Sequence, residues 1–503
     1  MAYTPLSLHL PNHNIDLKIS HTKFDKLDDN TIILGYYLNP KEDVIDFISA
    51  DDHSNLHKKI KGSWAILLIQ KQKLVVITDI LGGSRLYYSQ HKGNTIITDD
   101  YKVILENDIF KKNCILNKED LAYWENHKYT VGNRTFFNNL NKFPPCSIST
   151  FYENNVKIDL VFKDLNIGKN KHLLSKAIDH SLEQTFKMIK KLSVKKNILM
   201  FSGGLDSLLL AHYLKKNEID FTGVFLYSSK ISDEKEKELI VATAKNVDIK
   251  LEILNCELHW NPNILDYQLF DRHTASLLFS GIETIKEKFG SDICIINGQS
   301  SDSIFSYGPS EYSVQSFFRR YVLYKRGLFA SISKFILEFF FKKKFSFPEN
   351  KREDILSFLT EKKYCYLVDE NSSQSLNKDI EFISQRLDYR NSYRMYAKIY
   401  SFLQGSDNQV VHNACKHSNI RYLCLPFADS DIIYNTVQYK DDHREIFYPK
   451  YVIKDILKSS FNVKFSNLNV LKLYFRQSRL KTKNSGKNSI NYYWTYLKEQ
   501  KYI

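Results

Sequence analysis

Residues 196–297 alternate short apolar runs with segments of helical spacing, and this alternation constrains the fold more than any other feature of the 503-residue chain. The strands are predicted at residues 196–201, 220–227, 250–255 and 292–297, and the helices at 205–215, 233–246 and a longer stretch that ends near 289. Strands that alternate with helices predict a parallel sheet covered on both faces. In such a sheet, a ligand binds at the carboxyl ends of the strands.

The first of these strands ends in the hexapeptide Ser-Gly-Gly-Leu-Asp-Ser at residues 202–207, which opens the next helix. Adjacent glycines let the backbone bend sharply and bring N–H groups close to an oxyanion. The helix N-terminus points its positive end at the same spot, and the serine hydroxyls add donors. The hexapeptide therefore predicts phosphate binding. The simpler alternative is an ordinary strand–turn–helix join with Asp206 as a charge at the helix start.

A second acidic position, Asp302, follows the last strand of the series within the segment Asn-Gly-Gln-Ser-Ser-Asp at residues 297–302. One carboxylate rarely fixes magnesium well, so Asp302 is the natural second ligand beside Asp206. The alternative is that Asp302 is a helix N-cap. No Gly-x-x-x-x-Gly-Lys-Ser/Thr motif is present, so a kinase-like grip on a γ-phosphate is not indicated.

Residues 1–165 predict a separate β-rich domain, because short apolar runs recur there between turn-forming pieces, as in an antiparallel sheet. The clearest runs are residues 31–37, 63–70, 73–80, 86–89 and 95–98. The second predicted domain spans residues 170–503, and its part beyond 310 is expected to be largely helical.

The charge and the cysteine content limit which partners and which cellular compartment we expect for the protein. Lys and Arg number 71 against 57 Asp and Glu, a net charge of +14 that suits an anionic substrate; no nucleic-acid-binding motif accompanies it. The seven cysteines are scattered without a paired spacing, as expected of reduced thiols. No signal peptide and no apolar run of membrane-spanning length is visible, so we expect a cytoplasmic protein without a membrane span.

The hexapeptide resembles the pyrophosphate-binding loop (PP-loop) of the N-type ATP pyrophosphatases, and other segments resemble asparagine synthetases in particular. Residues 297–305 are similar to the Ser-Gly-Glu-Gly-Ser-Asp-Glu-Leu-Phe segment of that family, and Pro-Phe-Ala-Asp at 426–429 to its Pro-Phe-Leu-Asp. The resemblance covers roughly residues 55–480 and includes the N-terminal segments 62–65, 79–88 and 135–145.

This resemblance implies a fold of mixed α/β and α+β class. It joins an N-terminal antiparallel, β-rich, glutaminase-like (Ntn-type) domain to a C-terminal parallel-sheet α/β PP-loop synthetase domain with a helical extension. It also implies the cofactors ATP and Mg²⁺, which activate a carboxylate as its acyl-adenylate. By carry-over from the family, Asp206 and Asp302 are magnesium ligands, Gly298 lies near the ribose or adenine, and the pyrophosphate is held by Ser202, Gly203, Gly204 and Ser207.

Three departures separate the chain from glutamine-dependent members. Residue 2 is Ala where the family has its nucleophilic cysteine, so we expect no glutaminase activity, as in the similar β-lactam synthetases and lasso-peptide cyclases. Gln299 replaces the family glutamate and cannot serve as a general base. The family lysine of Trp-Arg-Gln-Lys has its nearest match at Ser478, with Arg479 and Lys481 beside it. No catalytic base can be named from the sequence.

The sequence thus predicts an ATP-dependent, AMP-forming amide-bond ligase, with a role in making a modified peptide or another specialised product. The substrate is a small-molecule or peptide carboxylate, and a partner protein docks on the N-terminal domain. One alternative is an asparagine synthetase or an amidotransferase that uses ammonia on a sugar acid of a surface polysaccharide. Others are a non-catalytic ATP-binding scaffold and a different enzyme on the same loop, such as one that thiolates RNA.

Overall fold

The computed structural model describes most of the chain up to residue 305 and two later stretches. The described residues are 5–10, 14–50, 52–71, 73–127, 133–152, 155–161, 173–228, 234–256, 276–305, 407–438 and 450–460, with 339, 498 and 499.

The part before residue 162, here called the N-terminal unit, contains two sheets of order β1-β2-β8-β7-β9 and β11-β10-β6-β5-β4-β3. Its strands are β1 Leu6–Leu10, β2 Ile15–Ile19, β3 Phe24–Lys26, β4 Thr31–Tyr37, β5 Gly62–Gln70, β6 Lys73–Thr78, β7 Tyr87–His91, β8 Asn94–Thr98, β9 Asn141–Lys142, β10 Ser147–Phe151 and β11 Val156–Leu160. Its helices are α1 Lys41–Ser49, α2 Leu56–Lys59, α3 Tyr101–Leu105 and α4 Lys118–His127.

The two sheets stack face to face, and helices cover their outer faces. Strands β4 and β5 are mostly apolar because both of their faces are buried over most of their length. Ile32 and Leu34 point between the sheets, whereas Ile33 and Trp64 point outward to Val44 of α1. Pairing is antiparallel except between β2 and β8, which run parallel and are not joined by a hairpin. The expected β-rich fold is confirmed.

The part from residue 173 onward, here called the parallel-sheet unit, contains one parallel sheet of order β14-β13-β12-β15-β16. Its strands are β12 Lys196–Met200, β13 Phe221–Tyr227, β14 Leu251–Asn255, β15 Ile293–Ile296 and β16 Tyr422–Cys424. Its helices are α5 Leu174–Lys190, α6 Leu205–Lys216, α7 Glu234–Asn246, α8 Ser276–Phe289, α9 Ser301–Phe305, α10 Asp407–His417, α11 Ser430–Gln438 and α12 Tyr451–Ser460.

Helices cover both faces of this sheet, as the alternation predicts. Leu199 of β12 faces the apolar core formed with α5, α6 and α12, and its neighbour Ile198 faces the core formed with α8 and α10. The parallel α/β fold expected of a PP-loop synthetase is therefore confirmed. The domain limits at 165 and 170 fall among residues 162–172, outside the described residues, and remain a prediction.

The two units meet through buried polar contacts as well as apolar ones. Asp99 of the N-terminal unit is fully buried and lies 3.0 Å from Nζ of Lys416 on α10. The Ser63 hydroxyl lies 2.8 Å from Nδ1 of the buried His412. Because an unpaired buried charge or polar group is costly, these pairs favour one fixed arrangement of the two units.

None of the helices in the described part of the chain combines the length and apolar character needed to cross a membrane.

Candidate active site

The candidate site lies where the order of the parallel sheet reverses. Strand β12 is central, and the chain moves to β13 and β14 on one side and to β15 and β16 on the other. Strands β12 and β15 are neighbours at this switch point, and in parallel α/β sheets ligands bind in the crevice at the carboxyl ends of the strands there. Both segments singled out by sequence, 202–207 and 297–302, begin at this crevice.

The loop after β12 has the conformation that its two glycines permit. Gly203 has φ +68°, and a side chain there would place its Cβ only 3.2 Å from Cγ1 of Ile240 on α7. Gly204 precedes α6 as its N-cap residue, without a side-chain cap. The first turn of α6 therefore directs N–H groups and its positive end at the crevice, as an anion site requires.

The serines of the loop lie on either side of Gly204. The Ser202 side chain is exposed, and its hydroxyl oxygen is 3.4 Å from that of Ser207. Ser207 is buried and donates to the Gly204 carbonyl at 3.0 Å. Ser202 can thus donate directly to a ligand, whereas Ser207 holds the shape of the turn.

Asp206 contacts several other residues of the site through its carboxylate. Its Oδ1 accepts a hydrogen bond from Oγ of Ser301 at 2.5 Å, and its Oδ2 lies 2.5 Å from Nζ of Lys450. Ser301 begins α9 and Lys450 immediately precedes α12, so three segments distant in sequence converge on one carboxylate. This convergence argues against the simpler interpretation of Asp206 as an isolated charge at a helix start.

Lys450 is a site residue that sequence reasoning missed. Its side chain is only 6% exposed, and its backbone adopts φ +59°, which is rare for a residue with a side chain. Its N–H donates to the Phe305 carbonyl at 3.1 Å. A lysine at the start of a helix opposes the helix dipole, and this misplaced charge is the signal that could have identified it.

The segment after β15 brings Gly298 against Asp206. A Cβ on Gly298 would lie 3.3 Å from Cβ of Asp206 and 3.7 Å from Cε2 of Phe427, so a side chain here would crowd the carboxylate. The side chain of Asn297 accepts the N–H of Gln299 at 2.8 Å, which turns the chain sharply into α9. Gly298 therefore lies beside Asp206 at the crevice. A specific contact with ribose or adenine remains a prediction.

The remaining predicted residues are not described at the level of their side chains. Asp302 lies in α9 next to Ser301, but its side chain is not among those described, so its role as a second magnesium ligand remains a prediction. Ser478, Arg479 and Lys481 lie outside the described residues.

Magnesium is compatible with the donors that are described here. Carboxylate and hydroxyl oxygens are its preferred ligands, and it usually binds through one or two carboxylates plus substrate phosphates. Asp206 and the exposed Ser202 supply such oxygens. In the described ranges, no group of three or more His, Cys, Asp or Glu side chains forms a metal centre of its own.

No protein-family model matches the sequence, and a comparison with curated protein sequences finds no match. Solved structures that overlap the chain include an NH3-dependent NAD synthetase from Campylobacter jejuni, with 16% identity over 43% of this chain and 97% of that chain (TM-score 0.21). An NMN synthetase from Francisella tularensis shares 11% identity over 49% of this chain and 95% of that chain (TM-score 0.22).

A glutamine phosphoribosylpyrophosphate amidotransferase from B. subtilis shares 9% identity over 55% of this chain and 73% of that chain (TM-score 0.20). TM-scores of this size are too low for any of these overlaps to indicate what this chain does. The case for its function therefore rests on the site itself.

Proposed function

We propose that this protein is an ATP-dependent, AMP-forming amide-bond ligase of asparagine synthetase type without glutaminase activity. The observation that carries the proposal is Asp206: it belongs to the Ser-Gly-Gly loop, lies at the reversal point of the sheet, and meets Ser301, Gly298 and Lys450. Anion donors from a helix start, a carboxylate for magnesium and a buried lysine together match a bound triphosphate.

The reaction has two balanced steps. A carboxylate oxygen of the substrate attacks the α-phosphorus of ATP, the bond to the β-phosphate oxygen breaks, and pyrophosphate leaves. An amine then attacks the carbonyl carbon of the acyl-adenylate, AMP leaves with the bonding electron pair, and the amine nitrogen loses a proton. The products are an amide, AMP and pyrophosphate.

The described residues serve the first step. Negative charge develops on the leaving pyrophosphate, and preorganised donors stabilise such charge without reorganisation. In this proposal the N–H groups at the start of α6 and the hydroxyl of Ser202 hold the leaving pyrophosphate, and Lys450, which pairs with Asp206, supplies a positive charge. Magnesium, when bound through Asp206, neutralises further phosphate charge. Gln299 has no proton-accepting group, so the proposal leaves removal of the amine proton to the substrate or to another residue.

For the substrates, the proposal is an amine and a carboxylate of a peptide or another specialised product, because the family cysteine is absent and a glutamine-derived nitrogen is not expected. The chain's net charge of +14 favours an anionic acid. An ammonia-dependent amidotransferase acting on a sugar acid is the alternative within the same chemistry.

The test is pyrophosphate formation by the full chain with Mg–ATP and a panel of candidate acids. We expect acid-dependent pyrophosphate from the wild type and a fall to about one hundredth or less in Asp206→Asn, which keeps the shape of the side chain but not its charge. Asp292→Asn is the matched control. Asp292 immediately precedes β15, at the amino end of the strands and away from the site, and it forms an exposed ion pair with Arg421.

Binding of Mg–ATP without pyrophosphate formation for any acid would indicate the non-catalytic scaffold. Equal activity in the wild type and Asp206→Asn would contradict the proposed site.

A further inference from the structure

The N-terminal unit contributes a buried lysine to the region behind the candidate site. Nζ of Lys61 lies 2.7 Å from Oδ1 of Asp429 and 2.6 Å from Oδ2 of Asp431, and the lysine side chain is 8% exposed. Burial lowers the pKa of Lys61, but the two carboxylates together outweigh burial and hold the pKa above its ordinary value. Lys61 is therefore a fixed positive charge at the contact between the two units.

Asp429, which pairs with Lys61, connects several segments through hydrogen bonds. Its Oδ1 also accepts the N–H of Asp431 at 2.8 Å, which caps the start of α11, and its Oδ2 accepts the hydroxyl of Thr185 on α5 at 3.2 Å. The N–H of Asp429 donates to the Pro426 carbonyl at 3.3 Å. The position of Asp429 thus fixes the 3-10 turn Pro426–Ala428 that follows β16.

This turn places Phe427 behind the nucleotide crevice. Phe427 is fully buried, packs edge to face on Phe305 with ring centroids 5.6 Å apart, and borders Gly298. Gly298 lies against Asp206, and the Phe305 carbonyl accepts the N–H of Lys450. Gly298 and Lys450, the two neighbours of Asp206, are therefore linked to Phe427 of the turn and to Phe305, the residue of α9 that packs on Phe427.

We propose that Lys61 is a positioning residue for the nucleotide site, acting through Asp429 and Phe427. The proposal rests on the proposed function for the identity of the ligand. Removing Lys61 leaves a buried carboxylate without its cation, and such a group moves toward water because an unpaired buried charge is strongly unfavourable. Movement of Asp429 shifts Phe427 and loosens the packing behind Gly298 and Lys450. The N-terminal unit then has a role in the synthetase site that needs no glutaminase chemistry.

The first measurement is the affinity of the full chain for Mg–ATP, determined by calorimetry well below the unfolding temperature of every variant. Lys61→Met is expected to weaken binding about tenfold, and Lys61→Arg to restore most of it by keeping the charge. Lys416→Met is the matched control, because it also leaves a buried carboxylate, Asp99, without its cation at the contact between the units. Its affinity for Mg–ATP should stay within about twofold of the wild type.

The second measurement, hydrogen exchange without nucleotide, separates this proposal from the proposed function. Amides of residues 202–208 and 297–305 should exchange faster in Lys61→Met than in Lys416→Met. If that difference appears but the wild type binds no Mg–ATP, the proposed function fails and the positioning role stands. If the wild type binds Mg–ATP and the two methionine variants weaken binding equally, or neither does, the positioning role is overturned.

If Lys61→Met does not fold, the double variant Lys61→Met/Asp429→Asn replaces the buried pair by neutral groups of similar size. It should fold, because an asparagine side chain at this position can still cap α11. No buried charge is left at residue 429, but methionine cannot donate the hydrogen bond by which Lys61 ties residue 429 to the N-terminal unit. Because this tie is lost, the affinity for Mg–ATP is expected to be weaker than that of Lys61→Arg, by up to about tenfold relative to the wild type. Wild-type affinity and wild-type exchange in the double variant would overturn the positioning role.

Discussion

At the scale of single residues, the charged groups of the site can be interpreted only as pairs. By sequence alone, Asp206 is an acidic residue at a helix start. In the folded protein, Lys450, which is 244 positions later in the chain, forms an ion pair with it. Ser301 then satisfies the other carboxylate oxygen. The pairing explains how a partly buried carboxylate and a buried lysine are tolerated at an apolar edge of the sheet.

Lys450→Met is expected to reduce pyrophosphate formation about 100-fold, because it removes a charge-stabilising donor beside the phosphates. The measurement is the rate of acid-dependent pyrophosphate formation, with Mg–ATP affinity determined in parallel. Lys458→Met is the control, since Lys458 lies on α12, the helix that Lys450 immediately precedes, and its side chain is 59% exposed. A Lys450→Met enzyme as active as Lys458→Met would show that this lysine serves only to neutralise Asp206 in the ligand-free protein.

At the scale of elements, the join between β12 and α6 depends on a backbone conformation that side chains disfavour. Gly203 needs φ +68° and a close approach to Ile240 of α7, so the loop and the helix that packs on it are built together. Gly290, which follows α8, has φ +81° but no atom within 4 Å of a Cβ built there. Both glycines therefore need a positive φ, but only Gly203 lies in the loop of the candidate site.

Gly203→Ala and Gly290→Ala should each lower the free energy of unfolding by about 1–2 kcal/mol, since both force a left-handed conformation on a residue with a Cβ. Only Gly203→Ala should also weaken Mg–ATP binding, by about tenfold, because the displaced loop misaligns its N–H donors. Urea unfolding and calorimetry measure the two effects. Unchanged affinity in Gly203→Ala would indicate that the phosphates do not contact this loop.

Most elements could be predicted from sequence, since the apolar runs and the turn residues were unambiguous. Strand β4 spans Thr31–Tyr37 as predicted, and helices α6 and α7 begin and end within one residue of their predicted limits. The short strands β1 to β3 and β16 were missed, because three to five residues give too little periodicity. Their existence depends on neighbouring strands that pair with them.

At the scale of the whole molecule, the two units are joined by buried histidines as well as by ion pairs. His57 of α2 lies 2.8 Å from the hydroxyl of Tyr434 on α11, and burial, reinforced by Lys58, lowers the pKa of His57 to about 4. Burial and the nearby Lys416 lower the pKa of His412 to about 3. Both histidines are therefore neutral in the folded protein at pH values well above 4.

Stability should consequently fall as the pH is lowered through the window from about 6.5 to about 4, because unfolded histidine binds a proton there and folded His57 and His412 do not. Stability from these groups is fully present above pH 6.5, and each contributes a slope of up to about 1.4 kcal/mol per pH unit below it. Urea unfolding at pH 7.5, 6 and 5 measures the effect.

His412→Gln should give a shallower pH dependence over this window than the wild type, and His9→Gln, at a side chain 61% exposed, should not. Identical slopes in the wild type and His412→Gln would contradict the role of His412 in the pH dependence.

Asp99 affects stability in a separate pH window. Burial opposes its ionisation, but Lys416 and several hydrogen bonds lower its pKa to about 2. Its contribution to the free energy of unfolding is therefore lost only below about pH 4.

The sequence by itself determined the local elements: a strand, a Gly-Gly turn and a helix around residues 202–207, and a β-rich part followed by a parallel α/β part. These properties follow from nearest neighbours and periodicity along the chain. Only the tertiary structure decided that Asp206 meets Lys450, and that Lys61 of the N-terminal unit holds the turn bearing Phe427 behind Gly298. Such pairs join residues more than 200 positions apart. The burial that makes them strong does not exist until the chain has folded.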